Sequence, residues 1–236
     1  MIRVSNLYSG KGKAEIQVSS GGSMKGIEAL IDGKCNMAMS SSPIPAGMLA
    51  DAASKGIQIR GFSFANDMIV PIVHPSNPVN NLSLDQLGRI YTGNIKSWAA
   101  VGGQPALIDV ITRAASSGTG EVWKQVVLRS SKPKKDCVVQ NSNSGALAYV
   151  AEHPQAIGYV SFAILNHEVK AVSINGVAPT VENAKQGRYP ISRQLYLYVD
   201  EKAFSYHVKS FIVFILSGKG QQIVKKSGFI PQDALK

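Results

Sequence analysis

The sequence predicts an α/β fold, with a mostly parallel sheet, helices on its faces, and two lobes joined by strands. Three observations carry that reading. Strand-like and helix-like segments alternate along the 236-residue chain, the pattern that yields parallel sheets. No flexible linker divides the chain, so two lobes would be joined by strands rather than a tether. Hydrophobic residues make up 44% of it, enough for real cores in units of about 100 residues each.

The elements follow in order. "AEIQVSS" alternates and reads as a strand. "SMKGIEALIDGK" reads as a helix: Ser23 is its candidate N-cap, Ile27, Leu30 and Ile31 form one stripe, and Gly33 stops it. "CNMAMSSS" returns as a strand, "AGMLADAASKG" is a helix ended by Gly56, and "IQIRGFSF" is another strand. "DMIVPIVHPSNP" is an apolar strand, and its internal Pro71 points to an edge or a crossing between lobes. "LSLDQLGRIYTG" is a helix capped by Ser83 and closed by Gly93. "ALIDVITRAASSGTGEVWKQVVL" is strand, loop and helix, and "DCVVQNSNSGALAYVAEHP" repeats that order, with its helix starting near Asn143 or Ser144. "AIGYVSF" is a strand, Asn175-Gly176 marks a tight turn, "TVENAKQG" is a short helix, and "PISRQLYLYVD" is a strand. Two helices close the chain. "FANDMIVP" and "RYPISRQL" are the candidate crossings.

Composition narrows the function. The formal charge is +10, which suits nucleic acid, an anionic surface or small anions. The basic residues are scattered, and the densest run, "SKPKKD", has no interleaved aromatics, so it reads as a solvated loop and no nucleic-acid partner is expected. Cys35 and Cys137 read as buried free thiols, with no spacing for a bridge or a metal. His74, His153, His167 and His207 are dispersed, so no metal pair is expected. No Gly-x-Ser-x-Gly elbow occurs, since "NSNSGALA" has Ser142 and Ala146 where the glycines belong. No enzyme and no cofactor are expected. The longest apolar run, near "SFIVFILSG", is too short to span a bilayer, and "MIRVSNLYSGKGKAEIQV" lacks the pattern of a signal peptide.

Three strand-to-helix junctions are rich in small hydroxyl residues: "VSSGGSMKG" (18–26), "MSSSPIPAG" (39–47) and "TRAASSGTGEVW" (112–123). Ordinary helix capping explains any one of them. Together they point to an anion site, because free N–H groups of a helix's first turn and the helix dipole attract an anion. Glycine admits close backbone approach, serine and threonine add neutral donors, and Arg113 adds a planar charged fork. No nucleotide P-loop or dinucleotide fingerprint is present.

"SSGGSMKGIEALIDGKCNMAMSSSPI", "LSLDQLGRIYTGNIKSWAAVGG", "ITRAASSGTGEVW" and "AEHPQAIGYVSFAIL", in this order, resemble the periplasmic or lipid-anchored phosphate-binding proteins of phosphate ABC transporters. The resemblance covers nearly the whole chain. It implies the type II periplasmic binding protein fold, two α/β lobes joined by two crossing strands and closing on dehydrated phosphate. Residues 1–66 and 190–236 would form lobe 1 and residues 67–189 lobe 2. Carried over residue by residue, the implied phosphate ligands are Ser23, Ser41, Arg113, Ser117, Gly118 and Thr119. The implied function is an extracytoplasmic solute-binding protein that captures inorganic phosphate between two lobes and delivers it to an ABC permease. Its rivals are a receptor for another oxyanion (sulfate, molybdate or tungstate) and a sensing or scaffold protein with a degraded site.

Two departures stand out. Many members carry at position 41 an aspartate that accepts a hydrogen bond from protonated phosphate, and an acid often lies two residues after the arginine. Here these are Ser41 and Ala115, so the carboxylate that rejects sulfate is missing from both places. Members also begin with a strand and a phosphate-touching loop before the first helix. This chain starts within that helix, so lobe 1 is expected to lack its first strand. Weakened or absent phosphate binding by residues 1–236 alone is expected from that loss. The resemblance implies a monomer, and the short N-terminus leaves room for strand exchange with another chain.

Overall fold

The computed structural model describes Tyr8, residues 15–129 and residues 131–232. The expected end of a first helix within residues 1–13 lies outside the described residues, Tyr8 excepted. The chain divides into two compact units. One comprises Met1–Asn66 with Gln194–Lys236, and the other Asp67–Arg193.

In the first unit, α1 (Ser23–Ile31), β1 (Ala38–Ser40) and α2 (Ala46–Ser54) follow one another. The stripe of Ile27, Leu30 and Ile31 is buried and packs with Ala38, Ala52 and Tyr198. Gly33 and Gly56 follow the two helices at φ 67° and 72°, the left-handed stop that a β-carbon disfavours. The cap of α1 differs from expectation. Gly22 is the N-cap, at φ 96°, and makes no side-chain cap bond. Ser23 is the first helical residue, and its hydroxyl is turned to the next junction instead.

The expected strand at 14–20 is absent among the described residues. Residues 15–20 carry no regular structure and are largely exposed. Alternation selects which face of a strand is apolar, but a strand also needs a neighbour to complete its ladder.

The segments "IQIRGFSF" and "DMIVPIVHPSNP" are one strand, β2 (Ile59–Val73), which runs from the first unit into the second. After β2 come β3 (Asn81–Leu82), α3 (Leu84–Tyr91), β4 (Asp109–Arg113), α4 (Gly118–Val126), β5 (Val138–Gln140), α5 (Asn143–Glu152) and β6 (Ala156–Ser161). β7 (Lys170–Ala171), β8 (Ser173–Ile174) and α6 (Val181–Lys185) complete the second unit. β9 (Ser192–Asp200) leads back to the first unit, which ends with α7 (Tyr206–Leu216), α8 (Gly218–Lys226) and β10 (Ile230–Pro231).

The pairing is mixed rather than mostly parallel. In the second unit β4 lies parallel to both β5 and β6, while β2 runs antiparallel to β6 and to β7. In the first unit β1 pairs antiparallel with β9, and β10 antiparallel with β2. Pro71 sits inside this ladder, opposite Tyr159, and not at an open edge. Its carbonyl accepts Val172 N–H at 2.9 Å. In an antiparallel strand a residue's N and O point the same way, so the missing proline donor falls on the side of the two-residue β7, where it interrupts least.

Helix signals place α3 well. Ser83 and Gln86 form a reciprocal capping box and Gly93 follows at φ 83°. α5 is capped by Ser142, whose hydroxyl accepts from Gly145 N–H at 2.9 Å. Asn175 and Gly176, at φ 52° and 78°, make the expected tight turn, with Ile174 and Val177 exchanging both backbone bonds. The two last helices share a single residue at their corner: Ser217 ends α7 and caps α8. Cys35 and Cys137 are free thiols, half-buried rather than buried.

Candidate functional site

The sequence motifs fall into two clusters, one in each unit. In the first unit Ser23 and Ser41 come together. Ser41 N–H donates to Ser23 Oγ at 3.1 Å, and the two hydroxyls are 3.4 Å apart. The loop after β1 is folded on itself: Ser40 Oγ donates to the Ser42 carbonyl at 2.7 Å and accepts Ser42 N–H at 3.2 Å. Ser40 and Ser42 are buried and so satisfy each other, which leaves Ser23 and Ser41 as the hydroxyl pair at the start of α1.

In the second unit Arg113 ends β4 and Ser117, Gly118 and Thr119 open α4. Ser117 is the N-cap, and its hydroxyl accepts Gly120 N–H at 3.1 Å. Ser117, Gly118 and Thr119 are buried. The first-turn N–H groups of Gly118 and Thr119 have no acceptor within the helix, as helix geometry requires. A backbone approach there meets little side-chain bulk.

Arg113 is held on several sides. Its Nε donates to the Gln140 carbonyl at 3.1 Å, one terminal nitrogen to Asn143 Oδ1, and the other to the Asn141 carbonyl at 3.3 Å. Its backbone N–H donates to the Tyr159 hydroxyl at 3.2 Å. A fork fixed by neutral oxygens keeps its full charge. Burial lowers the Arg113 pKa from its ordinary value; nearby Tyr159 opposes that shift and Arg193 adds to it.

Arg193 and Asp67 had no place among the expected ligands. Arg193 Nε and Nη2 donate to one oxygen of Asp67, Oδ2, at 3.1 and 2.7 Å. Arg193 Nη1 donates to Thr119 Oγ1 at 2.8 Å. Both charged side chains are almost wholly buried, 5% and 1% exposed. The signal was present in the sequence: Asp67 is the lone charge of its apolar run, Arg193 interrupts an alternating one, and each lies in a segment singled out as a crossing. Buried charges need partners, so two such positions invite pairing. Asn141 and Asn143 were passed over as well, because they lie in the next junction along the chain.

A concavity of about 620 Å³ opens at the other end of β4, lined by Lys96, Asp109, Lys134 and Asp136 among others. It shares no residue with either cluster. Among the described residues no group of three or more His, Cys, Asp or Glu side chains is gathered for a metal.

Residues 3–219 match the model of the PBP superfamily domain. This chain belongs to that superfamily. A phosphate-binding protein PstS of Bacillus subtilis is 31% identical over 94% of the chain and 73% of its own length. A PstS of Borreliella burgdorferi is 28% identical over 89% of the chain and 77% of its length. Among solved structures, a phosphate ABC transporter substrate-binding protein from Clostridium perfringens with bound phosphate has 30% identity and a TM-score of 0.90. That match covers 98% of this chain and 93% of the other. An ABC-type phosphate transport receptor from Vibrio cholerae has 28% identity and a TM-score of 0.81 over 97% and 93%. The fold is therefore the α/β type II periplasmic binding protein fold, and the family is one of substrate-binding proteins, not enzymes.

Proposed function

We propose that this protein captures inorganic phosphate outside the cytoplasm and delivers it to an ABC permease. The observation that carries the reading is the arrangement at the start of α4. A charged guanidinium fork, fixed by three neutral oxygens, stands beside buried hydroxyls and a helix N-terminus. That combination suits a tetrahedral oxyanion. Its relatives are named for phosphate binding, and one was solved with phosphate bound.

In this reading Arg113 balances charge, Ser117 and Thr119 offer hydroxyls, and Gly118 admits the oxyanion to the backbone. Ser23 and Ser41 form the contribution of the first unit. The two units are taken as the two lobes, and the protein as a monomer. A ligand that engages both lobes would favour the state in which both are engaged.

Isothermal titration of the 236-residue protein with phosphate, sulfate, molybdate and tungstate tests this. Phosphate is expected to bind most tightly, and Arg113→Ala to abolish the binding heat. Preference for another oxyanion would reassign the ligand, and no binding of any, even by a version extended at its N-terminus, would overturn the receptor reading. Light scattering coupled to gel filtration reads the monomer.

A further inference from the structure

We propose that α7 and the start of α8 form a docking face for an anionic lipid surface. The inference concerns the outside of the first unit and stands apart from the phosphate site.

The apolar pattern comes first. α7 is apolar on two sides. Val208, Phe211, Ile212 and Ile215 are buried in the core of the first unit. On the other side Tyr206 is 79% exposed, Val213 70% and Leu216 41%. With Lys209 between them, these residues follow at steps of three, four and three positions, so they line up as one ridge along the helix. A surface helix ordinarily turns a polar face to water, and a helix apolar all round is ordinarily covered on every side. Among the described residues α7 is covered on its inner side and bare along the ridge.

Charge comes second. From Ser205 to Gln232 the chain carries four lysines, Lys209, Lys219, Lys225 and Lys226, and no aspartate or glutamate. All four are exposed, and among the described residues none takes part in an ion pair. Lys219 follows Leu216 by three residues, just past the Ser217 corner. At the other end of the ridge Lys209 Nζ lies 5.4 Å from the Phe204 ring centroid, and Phe204 stacks on Phe62 at 5.9 Å. Aromatic surface therefore continues the ridge beyond the start of α7.

The two patterns together select the occupant. Lysines that no acid meets call for an anionic partner. Aliphatic side chains, a tyrosine and flexible lysine stems on one ridge suit the bilayer interface. There the aliphatic groups enter the acyl boundary, the tyrosine sits among headgroups, and the lysines reach lipid phosphates. At 11 residues, about 16 Å, α7 is too short to cross a bilayer and the right shape to lie on one. A folded acidic partner would instead favour cations held in a fixed geometry, and no acid pins any of these four.

Vesicle co-sedimentation of the 236-residue protein tests this. One set of vesicles is phosphatidylcholine alone, the other equal parts phosphatidylcholine and phosphatidylglycerol. The wild type is expected to pellet with the anionic vesicles, to leave the neutral ones, and to be released as salt rises. Val213→Glu is expected to weaken binding at least roughly tenfold. Lys209→Gln with Lys219→Gln should weaken it about fivefold for each lysine. All three side chains are exposed, so circular dichroism should show both variants folded. As a control, Lys124→Gln with Lys185→Gln removes the same charge from the second unit and is expected to retain most of the binding. An equal loss in that control would mean that net charge alone drives binding, and the proposal falls. It falls equally if Val213→Glu binds like the wild type, or if the wild type ignores anionic vesicles. A dimer seen by light scattering and abolished in Val213→Glu, with no vesicle binding, would assign the ridge to a second copy of the chain instead.

Discussion

Trp123 lies flat on Tyr159, with ring centroids 4.1 Å apart and planes 3° from parallel. The stack presses α4 onto β6, and the Tyr159 hydroxyl then accepts the Arg113 backbone N–H at 3.2 Å and lies 3.3 Å from Thr112 Oγ1. The hydroxyl therefore ties the end of β4 to the core. Tyr159→Phe keeps the stack and leaves a buried N–H without its acceptor. A destabilisation of about 1–3 kcal/mol is expected, read as a lower urea midpoint with an unchanged slope. Phosphate affinity should fall less than in Arg113→Ala.

Arg113→Lys separates charge from shape. The ammonium keeps the charge and loses the planar fork that meets Gln140, Asn141 and Asn143. Lysine is expected to restore little of what alanine removes, leaving phosphate affinity at least roughly tenfold below wild type. Full affinity in Arg113→Lys, measured by calorimetry, would show that charge alone suffices.

The Arg193–Asp67 pair should be asymmetric to mutation. Arg193→Met leaves a buried carboxylate uncompensated, and about 3–5 kcal/mol of stability should be lost. Replacing both, with Asp67→Leu added, removes the stranded charge, and thermal or urea melts should show most of that loss recovered. A double variant as unstable as the single one would mean that the pair has no such energetic coupling.

Cys137 gives a pH signature. Burial, partly offset by Lys134, pushes its thiol up to about 11. At pH 7 it should react slowly with an alkylating reagent compared with an exposed thiol of ordinary pKa near ~8.5. The reaction should accelerate only as the pH nears 11. The sign for stability follows from the same shift. The buried neutral thiol contributes fully below its unfolded pKa, and that contribution is lost as pH rises through the folded value.

Much of the fold was legible because helices announce their ends locally. Ser83 with Gln86 at the start of α3 and Gly93 after it are signals contained in a dozen residues. The segment at 14–20 carried an equally clear alternation, yet its described residues 15–20 form no strand, because a ladder partner is a tertiary fact that alternation does not encode. Pro71 lies on the strand that passes from one unit to the other, but its place inside a ladder was not legible: which side its absent donor would face depends on register, known only once β6 and β7 are placed. The site divides in the same way. Arg113, Ser117, Gly118 and Thr119 are neighbours in sequence and neighbours in space. Asp67 and Arg193 are 126 residues apart, and only the two long strands bring them together. Their mark in the sequence was weaker, a charge set within an apolar run at Asp67 and within an alternating one at Arg193.

The corner at Ser217 has a consequence for what the chain can be written with. Its hydroxyl donates to the Phe214 carbonyl at 2.6 Å and accepts Gly220 N–H at 3.3 Å, drawing α8 hard against the end of α7. A β-carbon on residue 220 would stand 2.2 Å from the Phe214 carbonyl oxygen and 2.4 Å from that of Ile215. Those are backbone atoms and cannot swing aside. Of the twenty amino acids, the close turn between the last two helices admits one at this position, and even alanine is too large a word for it.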